Sequence, residues 1–213
     1  MACEETLNGA VKALFEGEKA PVVATVAWAL ARVLEEGRVS ARELRARPEG
    51  EDALLLMDEW RLLQLVGGSA TKAWEDTSQL LAMGRDFDLD FPAWIRALVR
   101  RACDTERLQV RQALLAFFAG EGHPAWSKLP AFLFEMARAS QNGIIDAARI
   151  NRLLRAAPLG IPADTLIAQM KSYGCISPHL RADFFRMQTP RYEIHPLLVH
   201  AATREGDPPG AAS

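Results

Sequence analysis

Apolar residues recur along the first part of the chain with the spacing of α-helices. Three helices are predicted, over residues 21–37, 41–47 and 51–60. A short strand at Val39 precedes the second helix, and Ser40 is the residue expected to cap that helix. Two further strands, over residues 61–66 and 72–77, flank a glycine-containing turn. The predicted order is therefore helix, strand, helix, helix, strand and strand.

The same order returns in the second half of the chain. Helices are predicted over residues 128–140, 147–157 and 163–174, and strands over residues 144–145, 175–177 and 191–195. Asp146 is expected to cap the middle helix of this set, as Ser40 does in the first set. The third helices share an apolar stripe, formed by Ala53, Leu54, Met57 and Trp60 in one and by Leu166, Ile167, Met170 and Tyr173 in the other. The stripe predicts which side of each helix is buried.

This repeated pattern resembles tandem winged-helix proteins, a group that holds both transcription regulators and assembly subunits that bind no DNA. The resemblance covers roughly residues 20–78 and 127–200 and consists of element lengths and polarity, without a signature motif. It implies a mainly α fold with two winged-helix units that carry short β-hairpin wings and are joined by a helical connector. The alternative is an ordinary all-α protein with two similar helix-turn-helix stretches.

The expected domain boundaries follow from the repeat. They are an N-terminal winged-helix-like unit over residues 1–78, a helical connector over 79–126, a C-terminal winged-helix-like unit over 127–203 and a disordered tail over 204–213. Residues 91–120 of the connector are either one long helix or two helices that meet near Asp104. If they form one helix, four arginines line one side of it: Arg96, Arg100, Arg107 and Arg111.

Composition limits how the chain could bind its partners. The 213 residues carry a formal net charge of −2, so any attraction to nucleic acid must come from a local basic patch. The first residues show no basic segment followed by an apolar one, so no secretory signal is expected, and no apolar stretch reaches the roughly 18 residues of a membrane span. Three isolated cysteines are expected to be reduced thiols. The predicted location is cytoplasmic, with no membrane partner.

The outward face of the first unit's third helix predicts protein docking. DNA-binding proteins of the resembled group place this helix in the major groove. Here that face carries Glu51, Asp52, Asp58 and Glu59, which DNA phosphates would repel. The residues predicted to dock a protein partner or a second copy of the chain are Leu55, Leu56, Asp58 and Glu59. In the alternative interpretation, the central helices cover the leucines and the acids only solvate the edge.

The second unit is the better candidate for contact with double-stranded DNA. Arginines can bind phosphates, and polar side chains of a third helix can pair with base edges. The predicted nucleic-acid-binding residues are Arg149, Arg152, Gln169, Lys171, Arg181, Arg186 and Arg191. The alternative is an ordinary solvated face. Phe184, Phe185 and Met187 in the wing loop are expected either to contact a partner or to fold back onto the core.

No motif in the chain indicates catalysis. Phosphate-binding loops, nucleophile elbows and zinc-protease motifs do not occur, and the histidines are scattered, so no metal or cofactor is expected. Asp86, Asp88 and Asp90 are predicted to precede and cap the central helix. The predicted function is a non-catalytic regulator or adaptor that contacts DNA through its C-terminal unit and docks protein through its N-terminal unit. The alternatives are a pure protein-assembly subunit without nucleic-acid binding and an enzyme with a deep pocket.

Overall fold

A computed structural model of the chain describes residues 2–66, 74, 78, 84, 86–122, 124–179 and 189–204. The described residues are mainly helical and form two small three-stranded sheets. The chain divides into two compact units. The first unit comprises Met1–Ser69 and Glu75–Leu114, and the second comprises Ala70–Trp74 and Leu115–Ser213. No helix among the described residues is both long enough and apolar enough to span a membrane.

The first unit has one three-stranded antiparallel sheet and five helices within its described residues. The helices are α1 (Ala2–Leu14), α2 (Ala20–Glu36), α3 (Ala41–Arg45), α4 (Gly50–Glu59) and α5 (Ala93–Thr105), and the strands are β1 (Val39–Ser40), β2 (Gln64–Leu65) and β3 (Asp88–Asp90). The strand order is β1-β3-β2. Helix α1 packs on α2 and α5, and α4 packs on α2. Helix α6 (Val110–Gly120) contains the boundary between the units.

The ends of the short helices in this unit follow from local chemistry. Ser40 and Glu43 form a reciprocal capping box at the start of α3, so two backbone N–H groups are satisfied there. Gly50, the first residue of α4, approaches α3 closely, and a Cβ atom added to it would lie 1.9 Å from the carbonyl oxygen of Leu44. Only glycine therefore allows α4 to begin at this point.

The second unit repeats the arrangement of the first. Its helices are α7 (Leu129–Ala139), α8 (Ala147–Ala156), α9 (Ala163–Ser172) and α10 (Pro196–Arg204), preceded by a 3₁₀ helix (Pro124–Lys128), and its strands are β4 (Ile144–Asp146), β5 (Ile176–Pro178) and β6 (Arg191–Ile194). The sheet order is β4-β6-β5, which is the β1-β3-β2 order of the first unit. Helix α10 packs on α7 as α5 packs on α2. In each unit, therefore, a helix follows the last strand of the sheet.

The apolar stripes lie where the sequence predicted them. Ala53, Leu54 and Met57 are buried on α4, and Leu166 and Met170 are buried on α9. Ile167, which the stripe predicted to be buried, is partly exposed, as are Trp60 and Tyr173 one turn further along each helix. The buried stripes place the remaining residues of both helices on the outward side.

Two expectations about the first unit are wrong. Strand β2 pairs with Asp88–Asp90. Of the strand predicted over residues 72–77, only Trp74 is among the described residues, and it is helical. Asp88 and Asp90 consequently belong to a strand instead of capping the helix that follows. A strand of three residues is too short to give a clear alternation of apolar and polar positions in the sequence. The position of β3 is therefore evident only from its pairing with β1 and β2.

The central stretch is two helices, as one of the two alternatives predicted. Helix α5 ends at Thr105, and Glu106 adopts a left-handed conformation with a φ of 57°. Since the chain turns there, Arg96 and Arg100 lie on a different helix from Arg111, and the proposed line of four arginines does not form. Arg96 instead pairs with Asp90.

The expectation of three reduced thiols is wrong for two of the cysteines. Cys3 of α1 and Cys103 of α5 form a disulfide across a sequence separation of 100 residues. Cys175 is free and buried, and burial raises the pKa of its thiol well above the ordinary range. Disulfides persist mainly in oxidising compartments. The bridge therefore does not support the cytoplasmic location, which stays a prediction.

Candidate nucleic-acid interface

Three of the arginines predicted to bind nucleic acid line one groove of the second unit. Arg149 and Arg152 extend from α8, and Arg191 begins β6. The groove has a volume of about 380 Å³ and is lined in addition by Ala139, Gln141, Asn142, Ile144, Ile145 and Asp146. We call it the arginine groove. Its lining combines aliphatic side chains with guanidinium and amide groups that can donate hydrogen bonds.

The local fold explains why these side chains converge. Asp146 ends β4 and caps α8 by accepting a hydrogen bond of 2.6 Å from the backbone N–H of Arg149. In the sheet, Asp146 is directly opposite Arg191. Arg152 lies one turn beyond Arg149 on the same helix. The strand pairing and the helix start therefore bring residues distant in sequence to one place.

The three arginines of the groove are available to a ligand. All three are exposed, and none forms a salt bridge or side-chain hydrogen bond with any residue of the part of the chain that the structure describes. The carboxylate among the lining residues is that of Asp146, and one of its oxygens already accepts a hydrogen bond from the backbone. The groove therefore carries three guanidinium groups and one carboxylate.

The equivalent place in the first unit has the opposite charge. Ser40 caps α3 as Asp146 caps α8, and it is opposite Asp88 where Asp146 is opposite Arg191. Glu43 holds the third position of α3, which Arg149 holds in α8. Two arginines of the second unit thus replace two carboxylates of the first.

The carboxylates of the first unit already have partners. Asp88 pairs with Arg38 at 3.0 Å, and Glu43 pairs with Arg32 at 3.5 Å. The pKa of Glu43 is lowered, chiefly because its carboxylate accepts the backbone hydrogen bond of Ser40. This surface of the first unit is therefore internally neutralised, whereas the arginine groove is not.

The outward faces of the third helices also differ. Aligned on their buried stripes, α4 presents Leu56 and Asp58 where α9 presents Gln169 and Lys171. Both Gln169 and Lys171 are half-buried at the edge of this face. Arg181 and Arg186 lie outside the described residues, as do Phe184, Phe185 and Met187.

The predicted docking residues of α4 separate into two kinds. Leu55 is 54% exposed and Glu59 is exposed, while Leu56 is only partly so. The side chain of Asp58 is only 12% exposed and pairs with Arg61 at 2.8 Å. Its second oxygen accepts a hydrogen bond of 2.7 Å from Ser78. Asp58 therefore stabilises the end of α4 and is not a free carboxylate on the surface.

An apolar groove lies on the other side of α8. Its volume is about 630 Å³, and its lining includes Phe132, Leu153, Pro158 and Leu159, with Lys128 and Glu135 among its charged residues. On the equivalent face of α2, Thr25 is buried and donates a hydrogen bond of 2.7 Å to the carbonyl oxygen of Pro48. Neither groove could be recognised as a concave surface from the sequence.

Other polar groups of the second unit have structural partners. The hydroxyl of Tyr173 donates a hydrogen bond of 2.5 Å to Glu121, and its ring packs against Phe117 and Phe118. Burial, reinforced by Glu121, raises the pKa of Tyr173 to about 12. His179 contacts Glu193 at 2.8 Å. Across the described ranges, no cluster of three or more histidine, cysteine or acidic side chains could hold a metal ion.

The amide residues that line the arginine groove were not predicted from the sequence. Gln141 and Asn142 follow α7, and Asn142 has a φ of 52° ahead of Gly143. The Asn-Gly pair signals a helix end, but nothing in it indicates that its side chain lies near Arg191. Only the pairing of β4 with β6 could have revealed this.

Residues 9–205 match the model of one protein family, and the chain belongs to that family. The match carries no statement of activity, ligand or partner. No curated protein matches the chain, and no solved structure does.

Proposed function

We propose that this protein is a non-catalytic regulator or adaptor built from two winged-helix units, of which the second binds double-stranded DNA. In this proposal α4 and α9 correspond to the third helix of a winged-helix unit, and the β2–β3 and β5–β6 pairs correspond to its wing. The repeated element order and the identical sheet orders support the winged-helix interpretation. A cytoplasmic location is part of the same proposal.

The observation that carries the DNA proposal is the difference in charge between equivalent surfaces of the two units. Where the first unit has Glu43, Asp58 and Asp88, the second has Arg149, Lys171 and Arg191. DNA affinity depends largely on neutralising phosphates with Lys and Arg. The second unit can supply that neutralisation, whereas the corresponding residues of the first unit are carboxylates that already pair with Arg32, Arg61 and Arg38.

Direct measurement of binding to duplex DNA tests the proposal. The full chain is titrated with a labelled duplex of arbitrary sequence at several salt concentrations. Binding at about 50 mM salt should weaken steeply as salt rises, because counterions are released from the phosphates. Lys171→Glu should reduce the affinity, while Arg100→Glu on α5 of the first unit makes the same charge change and should not. Absence of binding at about 50 mM salt would overturn the proposal.

We propose in addition that the first unit docks protein through the outward face of α4. Leu55, exposed on a helix that also presents Glu51 and Glu59, supports this role. If duplex DNA does not bind, the alternative of a pure assembly subunit becomes the preferred function. The assembly alternative predicts that Leu55→Ser changes the oligomeric state or partner binding while the DNA measurement stays negative.

A further inference from the structure

We propose that the arginine groove is a phosphate-binding site and that it takes backbone phosphates of nucleic acid. This inference deepens the proposed function and rests on it for the identity of the ligand. In this proposal the arginine groove binds the phosphates, and any contacts with the bases are made separately by Gln169 and Lys171 of α9.

The chemistry of the groove lining matches a phosphodiester. Each guanidinium presents several N–H donors in a planar fork, which suits the paired oxygens of a phosphate. Arg149, Arg152 and Arg191 supply three such forks around a volume of about 380 Å³. Gln141 and Asn142 add neutral amide donors. These groups can bind phosphate oxygens without reading a base.

The electrostatics of the groove favour an anion. Three positive side chains face one carboxylate, and no described residue neutralises the guanidinium groups. The start of α8 adds the partial positive charge of a helix N-terminus. Ile144 occupies the place that Arg38, the partner of Asp88, occupies in the first unit.

The first unit shows what the same scaffold looks like without the site. There, Glu43 and Asp88 hold the positions of Arg149 and Arg191, and Ala46 holds that of Arg152. The first unit therefore lacks the three guanidinium groups that would hold the phosphate. The arginine groove is therefore not a by-product of the fold and depends on side chains found only in the second unit.

The test has two arms that use the full-length chain. In the first arm, inorganic pyrophosphate is titrated at low ionic strength and followed by calorimetry. The triple variant Arg149→Ala, Arg152→Ala, Arg191→Ala should lose at least about tenfold in affinity, since three charged donors are removed. Arg155→Ala, an exposed arginine of α8 that does not line the groove, is the matched control and should bind as the wild type does.

In the second arm, the salt dependence of duplex DNA binding is compared between the same proteins. Each phosphate contact that is lost should lower the slope of log affinity against log salt by about 0.9. The triple variant should therefore lose about 2 to 3 from the slope. A triple Arg→Lys variant keeps the charges and should keep most of the slope, which separates a charge effect from a loss of folding.

The outcomes distinguish this inference from the proposed function. If the triple variant binds DNA with an unchanged slope, the groove assignment is overturned and the proposed function survives. If the wild type binds no DNA but binds pyrophosphate through the three arginines, the phosphate site stands and the proposed function fails. Equal pyrophosphate binding by wild type and triple variant overturns the phosphate site.

Discussion

Arg191 is directly opposite Asp146 in the second sheet, in the place where the first sheet sets Asp88 opposite Ser40. The two units therefore use one backbone arrangement to present a cation in one case and an anion in the other. This exchange of charge at a fixed position distinguishes the surfaces of the two units and is the basis of the different roles that we propose for them.

The carboxylate of Asp146 should weaken anion binding in the arginine groove. We expect Asp146→Asn to raise pyrophosphate affinity about two- to tenfold, because the variant removes the one negative charge in the lining. Asparagine also caps helices, so α8 should remain stable. Asp164→Asn on α9 removes the same charge outside the groove and is the control. Equal affinity changes in both variants would show that Asp146 has no local effect.

Gly50 should be irreplaceable because of its contact with the carbonyl of Leu44. We expect Gly50→Ala to lower the free energy of unfolding by about 2 kcal/mol or more, since the added Cβ atom meets rigid backbone. Gly9 of α1 is exposed and has open space around it, so Gly9→Ala should raise stability by about 0.5–1 kcal/mol. Chemical denaturation measures both changes. A Gly50→Ala variant with an unchanged free energy of unfolding would contradict the close approach of Gly50 to the carbonyl oxygen of Leu44.

Adjacent leucines of α4 should respond differently to truncation. Leu54 is buried, so we expect Leu54→Ala to cost about 2–5 kcal/mol of stability. Leu55 is 54% exposed, and Leu55→Ala should change stability by no more than about 0.5 kcal/mol. Denaturant unfolding of the two variants provides the measurement. A large loss in Leu55→Ala would mean that this face of α4 is covered and cannot dock a partner.

The disulfide between Cys3 and Cys103 should stabilise the first unit. Because it closes a loop of about 100 residues, we expect reduction or Cys3→Ser to lower the free energy of unfolding by about 2–5 kcal/mol. Thermal unfolding with and without dithiothreitol measures the effect. Cys3→Ser itself should be insensitive to the reductant. A wild type whose stability does not change on reduction would argue against the bridge.

Tyr173 should ionise at unusually high pH. In a Tyr192→Phe background, where Tyr173 is the remaining tyrosine, phenolate absorbance should rise with a midpoint of about 12. Glu121→Gln should lower that midpoint, because the variant loses the carboxylate that favours the protonated phenol. The midpoint should stay above 10.0, since burial, the larger cause, remains. A midpoint that Glu121→Gln leaves unchanged would rule out the coupling.

The same shift has a defined effect on stability. The folded pKa of Tyr173 is raised above its ordinary value of 10.0, so its contribution is fully present below pH 10. The contribution is lost as pH rises towards about 12, because the unfolded chain ionises first. We expect the difference in stability between wild type and Glu121→Gln to shrink over this interval.

Much of the local structure could be predicted from the sequence. Helical periodicity located both sets of three helices, and Ser40 and Asp146 were identified as caps because short polar side chains satisfy free N–H groups. The strands near residues 176 and 191 were also predicted. These features depend on neighbours within a few positions, which a sequence pattern records directly.

The partners of distant residues could not be predicted in the same way. The last strand of the first sheet was placed at residues 72–77 instead of Asp88–Asp90, and the pairing of Cys3 with Cys103 was missed. Asp58 was taken for a surface carboxylate, although Arg61 and Ser78 enclose it. In each case the decisive neighbour is brought close by folding, and short strands leave too weak a pattern to indicate it.

The sequence by itself determined the two sets of three helices, most of their buried stripes and the repetition of the unit, because hydrophobic spacing and helix capping act over short distances along the chain. It did not indicate α1 or α10. Only the tertiary structure decided that Arg149, Arg152 and Arg191 share one groove. The physical reason is the antiparallel pairing of β4 with β6, which sets Asp146 and Arg191 side by side across an interval of sequence that no local pattern spans.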